Sequence, residues 1–199
     1  MKLFNHKSKP MKSNLICFLF SLISILPGFG QNCEFAENSV DKFTKIRTLS
    51  TKLEAIWLEG ALLSRVNLNF AVGMADSTKI IIAQMNCNKT ENFDWFDSFS
   101  SLWLMNESNE VVDLAPYDRC KYNFSGDSEW VSYWQYYIVS DSTWNQLSDF
   151  SIASIRVNMQ DVSGIPYYDL EIKEKNRAIL SNQVNCVESV LANGNSKKD

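Results

Sequence analysis

Apolar and polar residues alternate along much of this chain, and this period of two restricts its fold more than any other feature of the sequence. From residue 66 to residue 72 every second residue is apolar, and Asn67 and Asn69 lie between them. Because successive side chains of a β-strand point to opposite faces, the pattern predicts a strand with one buried face. Repeated in one chain, such segments favour antiparallel pairing, in which one face is buried and the other meets water.

Eight strands are predicted in this way. They lie in KIRTLSTKLEAIWLE, SRVNLNFAV, KIIIAQMN, SLWLMN, residues 110–115, EWVSYWQYYIV, IASIRVNMQ and YYDLEI. The first is predicted as one unbroken strand whose buried side carries Leu49, Leu53, Ala55 and Trp57. In EWVSYWQYYIV aromatic residues occupy both odd and even positions, which is typical of a strand covered on each face. Residues 31–43 are expected to lead into the domain without regular structure, and residues 118–127 to form a polar loop.

Two helices complete the predicted fold. Ser140 can cap a short helix over residues 144–150, in which apolar residues recur one turn apart. Residues 175–191 carry apolar residues along one helical face and predict a closing helix; these residues are Leu180, Val184, Val187 and Leu191. The predicted fold class is α+β: a single domain with a mostly antiparallel β-sheet, one short helix and a C-terminal helix packed on the sheet.

The N-terminus is expected to be a secretory signal peptide over residues 1–30, with Met11 as an alternative start. Four lysines precede an apolar run at residues 15–26, as in the basic and apolar regions of export signals. Twelve residues of helix span about 18 Å, which is less than the hydrocarbon thickness of a membrane. We therefore expect a cleaved leader rather than a retained membrane span.

The expected cleavage site lies between Gly30 and Gln31, because Gly28 and Gly30 place small residues at the −3 and −1 positions. Cys33 follows Asn32 and lacks the small preceding residue that bacterial lipid attachment requires, so the protein is not expected to be a lipoprotein. The predicted domains are a signal peptide at 1–30, a single α+β domain at 31–192 and a polar tail at 193–199.

Removal of the leader excludes several classes of function. It leaves 15 basic residues against 23 acidic ones, a formal charge of −8, which opposes nucleic-acid binding. It also removes His6, the single histidine of the chain, and with it imidazole catalysis and histidine metal sites. The few remaining glycines form no phosphate-binding loop. We therefore expect no enzymatic activity, no cofactor and no metal.

Four cysteines remain in the expected mature chain, and no Cys-x-x-Cys pair is present to bind a metal. An even number of cysteines in an exported protein predicts disulfides, with unpaired buried thiols as the alternative. Of the three connectivities we favour Cys33 with Cys186 and Cys87 with Cys120. The first pair brackets the domain and would tie the N-terminal segment to the closing helix.

Aromatic residues are the candidate ligand contacts, because six Trp residues in one domain are many. In the segments 93–103 and 130–137 such rings can stack on sugars, although rings in alternating strands more often fill a core. The candidates are Trp95, Trp103, Trp130, Trp134 and Tyr136. Carboxylates near them could support glycan hydrolysis without histidine, but the sequence singles out no pair among Asp94, Asp97, Asp127 and Glu129.

Three pieces of the chain carry a resemblance to other proteins: VDKFTKIRTLSTKL, the strand-helix-strand unit YYIVSDSTWNQLSDFSIASIRV, and a C-terminal helix that follows a strand. In their order the chain resembles small uncharacterised exported proteins of Bacteroidota, which carry signal peptides and have no assigned activity. The first piece departs from that group, whose members usually have a Gly-Lys-rich turn where Thr44 here precedes Lys45. The resemblance implies location and architecture, and it brings no catalytic residue or ligand.

These expectations favour an exported, non-enzymatic binding module of the periplasm or cell surface, whose partner is an envelope protein or a glycan. The first alternative is a carbohydrate-binding module that uses exposed Trp and Tyr rings, and the more distant one is a carboxylate-only glycan hydrolase. A protein partner predicts a contiguous exposed apolar patch of several hundred Å². No membrane span is expected after cleavage, and the sequence indicates no oligomeric state.

Overall fold

Eleven strands, two α-helices and one short 3₁₀ helix make up the part of the chain that a computed structural model describes, residues 33–59, 66–88, 99–118, 121–124, 130–159 and 167–195. The strands are β1 (Phe35–Val40), β2 (Arg47–Thr51), β3 (Glu54–Glu59), β4 (Val66–Ala75), β5 (Thr78–Asn88), β6 (Phe99–Asn106), β7 (Val111–Leu114), β8 (Lys121–Phe124), β9 (Trp130–Val139), β10 (Ile152–Met159) and β11 (Tyr167–Glu171). The helices are α1 (Asp141–Ser148), α2 (Ile179–Asn195) and the 3₁₀ helix Glu174–Asn176. The predicted α+β class is confirmed.

The strands form two antiparallel sheets. The larger has the order β1-β2-β4-β5-β9-β8, and β3 pairs with β4 beside β2. Since β2 lies opposite residues 73–75 and β3 opposite residues 66–70, these two strands follow one another along the same edge of β4. The smaller sheet has the order β11-β10-β6-β7, in which the consecutive strands β6 and β7 pair as an antiparallel hairpin.

The segment predicted as one long strand is broken at residues 52–53, which belong to neither β2 nor β3. The pairing of β3 with β4 is also irregular between Ala55 and Trp57. As a result Leu49 and Ile56 are buried, whereas Ala55 is exposed and Trp57 is only half-buried. The predicted buried side is therefore wrong beyond the break, because the break and the irregular pairing change which residues face the core.

The side chain of Gln183, on α2, spans this break. Its Nε2 donates to the carbonyl oxygen of Lys52 at 3.1 Å and to that of Phe70 at 3.0 Å, and Gln183 is only 2% exposed. Buried backbone carbonyls require a hydrogen-bond partner, and an interrupted strand cannot provide all of them. The closing helix thus supplies hydrogen bonds to the large sheet at its irregular point.

Two strands lie where none was predicted: β1 within residues 31–43 and β8 within residues 118–127. All of β1 after Phe35 is exposed, and its sequence FAENSV does not alternate. Both strands occupy the outer edges of the large sheet, where pairing through the backbone on one side suffices. They were missed because the prediction used apolar alternation, which an edge strand does not require.

One hydrophobic core draws buried residues from both sheets and both helices. Leu180, Val184 and Val187 of α2 are fully buried and Leu191 is half-buried, as the spacing predicted. The helix begins at Ile179, after the 3₁₀ helix, rather than at residue 175. It also continues to Asn195, into the segment that was expected to be a polar tail.

Helix α1 confirms the predicted cap, since the Ser140 hydroxyl accepts the N–H of Thr143 at 3.2 Å. The buried Trp144 donates from Nε1 to Glu188 of α2 at 2.5 Å. Lys79 Nζ lies 5.1 Å from the Trp144 ring centroid and 3.6 Å from the Glu188 carboxylate. Through these contacts Trp144 of α1 packs against Glu188 of α2 and Lys79 of β5.

A disulfide joins Cys33 to Cys186, with 5.6 Å between the Cα atoms. This confirms one of the two favoured bridges, and it ties a residue two positions before β1 to the middle of α2. The other stays a prediction, because Cys120 and the side chain of Cys87 lie outside the described structure. The expected cleavage between Gly30 and Gln31 also lies outside the described residues.

Candidate ligand-binding face

The outer face of the small sheet presents the side chains of alternate residues on its four strands. Their neighbours point inward, as shown by Leu102, Leu104, Ile155 and Leu170, which are all buried. The outward residues are Ser101, Trp103, Met105, Val111, Asp113, Ser154, Arg156, Asn158, Tyr167, Asp169 and Glu171. The small-sheet face, as we call this set, combines aromatic, basic and acidic groups.

Arg156 lies at the centre of the small-sheet face and pairs with Asp169 on the neighbouring strand. The two residues are directly opposite in the β10–β11 register. Arg156 Nε donates to Oδ1 and Nη2 donates to Oδ2, both at 2.7 Å. Hydrogen bonding by Arg156, aided by its charge, holds the pKa of Asp169 below its ordinary value. A planar ion pair with two parallel hydrogen bonds is therefore fixed on the surface.

Two aromatic rings flank the guanidinium group of Arg156. Its central carbon is 3.9 Å from the ring centroid of Tyr167 and 5.8 Å from that of Trp103. Guanidinium groups are attracted to aromatic faces at such distances. Trp103 is nevertheless 39% exposed and Tyr167 44% exposed, so both rings keep area available for contact.

A surface cavity of about 260 Å³ lies on this face. It is lined by Trp103, Met105, Val111, Ser154, Arg156, Asp169 and Glu171. Glu171 also lines a neighbouring cavity of about 250 Å³, formed with β3 and the segment around the 3₁₀ helix. Within the described part of the chain, the carboxylate of Glu171 has no hydrogen-bond or ion-pair partner. The cavity therefore contains an exposed ring, an ion pair with two hydrogen bonds, and a carboxylate with no partner among the described residues.

The predicted aromatic candidates do not form one site. Trp103 is on the small-sheet face, whereas Trp134 and Tyr136 lie half-buried on strand β9 of the large sheet. Trp95 and the side chain of Trp130 lie outside the described structure. The structure therefore separates Trp103 from the other candidates that it describes.

The prediction that β9 is covered on both faces is wrong. Tyr137 is fully buried, whereas the next residue, Ile138, is 45% exposed. Only one face of β9 contributes to the core, because both helices and the small sheet share a single core with the inner face of the large sheet.

A cluster of amide side chains occupies the outer face of the large sheet. Asn69 Nδ2 and Asn86 Nδ2 each donate to both Asn67 Oδ1 and Gln84 Oε1, which closes a ring of four amides. The Ser132 hydroxyl adds a hydrogen bond to Asn86 Oδ1 at 2.6 Å. Since the side-chain oxygens of Asn67 and Gln84 each accept two hydrogen bonds within this ring, they are less free to bind a ligand than the carboxylate of Glu171, which has no partner among the described residues.

Sequence reasoning missed Arg156, Tyr167 and Asp169 as site residues. The alternation in IASIRVNMQ and YYDLEI places them on the outward sides of their strands. However, their proximity depends on the register between β10 and β11, and alternation within one strand carries no information about register.

The candidate carboxylates Asp94, Asp97, Asp127 and Glu129 lie outside the described structure. Among the described residues, no group of three or more cysteine and carboxylate side chains could hold a metal ion. In the same residues no helix is both long enough and apolar enough to span a membrane. Comparison of the chain with known proteins found no matching family model, curated protein or solved structure.

Proposed function

We propose that this chain is an exported, non-enzymatic binding module of the periplasm or cell surface, and that it binds its partner through the small-sheet face. The arrangement of Trp103, Arg156, Tyr167 and Asp169 carries the proposal. Aromatic rings and arginine contribute much of the energy at binding sites. Here they lie at the surface beside a cavity, with their geometry fixed before a ligand arrives.

The contribution of these residues to the stability of the fold does not account for this arrangement. An exposed ion pair stabilises a protein by about 0 to 1 kcal/mol, and both residues of the Arg156–Asp169 pair are substantially exposed. Rings buried in the core would contribute more to stability than the half-exposed rings of Trp103 and Tyr167. A prearranged surface reduces the entropy lost when a partner binds, which supports a role in recognition.

The acidic groups of the face favour binding over hydrolysis. Asp169 and Glu171 are two residues apart on one strand and line the same cavity, and glycosidases use two carboxyl groups at one site. A general acid in such an enzyme requires a raised pKa. The pKa of Asp169 is lowered instead by Arg156, which opposes the role of general acid for Asp169 and suits an ionised hydrogen-bond acceptor.

Export is supported by the predicted leader and by the Cys33–Cys186 disulfide. Such bonds persist in oxidising compartments and are rare in the cytosol. Mass spectrometry of the protein after expression in an exporting host is expected to find an N-terminus at Gln31 and no attached lipid. A retained apolar leader or an acylated N-terminus would contradict this part of the proposal.

Binding through the small-sheet face can be tested with matched aromatic substitutions. Wild-type protein is incubated with insoluble cell-wall material and with solubilised envelope proteins, beside the variants Trp103→Ala and Phe43→Ala. Phe43 is 93% exposed in the β1–β2 turn and provides the control. We expect wild type and Phe43→Ala to be retained and Trp103→Ala to be lost. Equal retention of all three proteins would exclude this face as the binding site.

A further inference from the structure

We propose that the ligand of the small-sheet face is a glycan of uncharged or amine-bearing hexoses, with one sugar ring stacked on Trp103. This inference rests on the proposed function and specifies the chemical class of the ligand. The cavity, the distribution of hydrogen-bonding groups and the charge of its walls each support it.

The size of the cavity suits one sugar ring. Its volume is about 260 Å³, which is slightly below the roughly 300 Å³ at which pockets for drug-sized molecules begin. The exposed part of Trp103 forms an apolar wall, together with Met105 and Val111. A pyranose ring has an apolar face of C–H groups that can pack on such a wall, while its hydroxyl groups remain at its rim.

The polar wall of the cavity matches hydroxyl groups. The guanidinium of Arg156 has five N–H donors and uses two of them on Asp169. Each oxygen of Asp169 keeps acceptor capacity beyond the hydrogen bond that it receives. The remaining N–H donors of Arg156 and the acceptor oxygens of Asp169 therefore lie side by side in one plane. Neighbouring sugar hydroxyls, which both donate and accept, can bind to such a pair without breaking it.

The charge of the cavity excludes acidic ligands. Its lining contains one cation, Arg156, and two carboxylates, those of Asp169 and Glu171. Arg156 is neutralised by Asp169, so Glu171, which has no partner among the described residues, gives the lining of this cavity a net negative charge. Lys173 and Lys175 share the lining of the neighbouring cavity with Glu171, but neither lysine lines the cavity that holds Trp103 and Arg156. An uncharged sugar is compatible with this field, and an ammonium group would be attracted to it.

A protein partner fits the small-sheet face less well. The large exposed apolar side chains of the face are Trp103, Val111 and Tyr167, and the carboxylates of Asp113 and Asp169 are interspersed with them. Protein interfaces are depleted in Asp and Glu at their centres. Among the described residues, this face therefore offers a small concave site rather than the broad apolar patch that a protein interface requires.

The test uses three oligosaccharides of equal length: cellohexaose, which is uncharged, a chitosan hexamer, which bears amines, and hexagalacturonate, which is acidic. Binding to the full oxidised chain is measured by calorimetry and by Trp fluorescence at about pH 5, where glucosamine amines are mostly protonated and the carboxylates of Asp and Glu remain mostly ionised. We expect cellohexaose or the chitosan hexamer to bind. We expect Trp103→Ala to weaken that binding about tenfold, as removal of an aromatic contact does, and Phe43→Ala to leave it unchanged.

A second variant, Arg156→Lys, keeps the charge but removes the planar fork, and it is expected to weaken binding by a similar factor. Circular dichroism checks that each variant is folded. The proposal is overturned if neither sugar binds, if hexagalacturonate binds more tightly, or if Trp103→Ala binds like wild type. Retention of an envelope protein through this face, with no sugar bound, would overturn the glycan assignment while leaving the binding-module proposal intact.

Discussion

Removal of the Cys33–Cys186 disulfide should destabilise the protein more than removal of most other single contacts. The bridge closes a loop between residues 153 apart in sequence. For a loop of this length the chain-entropy model gives about 5 kcal/mol, and measured bridges commonly contribute 2 to 4 kcal/mol. We expect the double variant Cys33→Ala/Cys186→Ala to lose about 3 to 5 kcal/mol, a large part of the roughly 5 to 15 kcal/mol that stabilises a typical domain.

Alanine is the appropriate replacement because Cys186 is buried, and a serine hydroxyl at that position would add a desolvation cost unrelated to the bridge. The assay is urea unfolding of the oxidised proteins followed by Trp fluorescence. The variant should also show a larger m-value, since an unfolded chain without the bridge exposes more surface. A loss below about 1 kcal/mol would refute the reasoning that the bridge stabilises through loop closure.

The companion variant Cys87→Ala/Cys120→Ala addresses the second predicted bridge. These residues are 33 apart in sequence, for which the same model gives about 3 to 4 kcal/mol. If they are bonded, the companion should lose somewhat less stability than the first variant. Thiol titration of denatured, unreduced mature protein gives an independent count and should find no free thiol among the four cysteines.

Three further predictions concern α2 and the small-sheet face. Gln183→Met should lower the free energy of unfolding by about 2 to 4 kcal/mol, because it removes the donor from the buried carbonyl of Phe70 and from the partly buried carbonyl of Lys52. Urea unfolding of Gln146→Met, at an exposed helical position, should show little change. Val187→Asp, which buries an unpaired charge, should cost several kcal/mol, and a melting temperature within about two degrees of wild type would contradict this. Because Arg156 lowers the folded-state pKa of Asp169, their pair should stabilise the protein above about pH 4 and lose that effect as the pH falls further. NMR titration should find the pKa of Asp169 raised in Arg156→Met, and an unchanged value would exclude Arg156 as the cause.

The sequence predicts those parts of the fold that depend on local periodicity. Strand β4 and the buried face of α2 were predicted because each repeats its apolar residues at the period of one element. The break between β2 and β3 was not predicted, because the carbonyl of Lys52 at the break is hydrogen-bonded by Gln183, which is far away in the sequence. The edge strand β1 was missed because an exposed strand held by backbone pairing has no apolar period.

The candidate site could likewise be predicted only in part, where local sequence features define it. Trp103 could be singled out by residue type and by its place in an alternating strand. Its partners could not, since Arg156 meets Tyr167 and Asp169 only through the register of β10 with β11. Trp134 and Tyr136 were equally plausible by residue type, and the topology placed them on a different sheet from Trp103.

The position of Gln183 and Cys186 near the end of the chain has a consequence for the timing of folding. Gln183 bonds to a residue 131 positions earlier, and Cys186 to one 153 positions earlier. Because synthesis runs from the N-terminus, the carbonyls at the irregular region of the large sheet cannot accept their hydrogen bonds from Gln183 until α2 has been synthesised. Contacts of such long range form slowly, because the entropy of closing the loop must be offset first. This delay would suit the export that we propose, since a polypeptide that cannot complete its tertiary structure before α2 is synthesised stays unfolded enough to pass through a translocation pore.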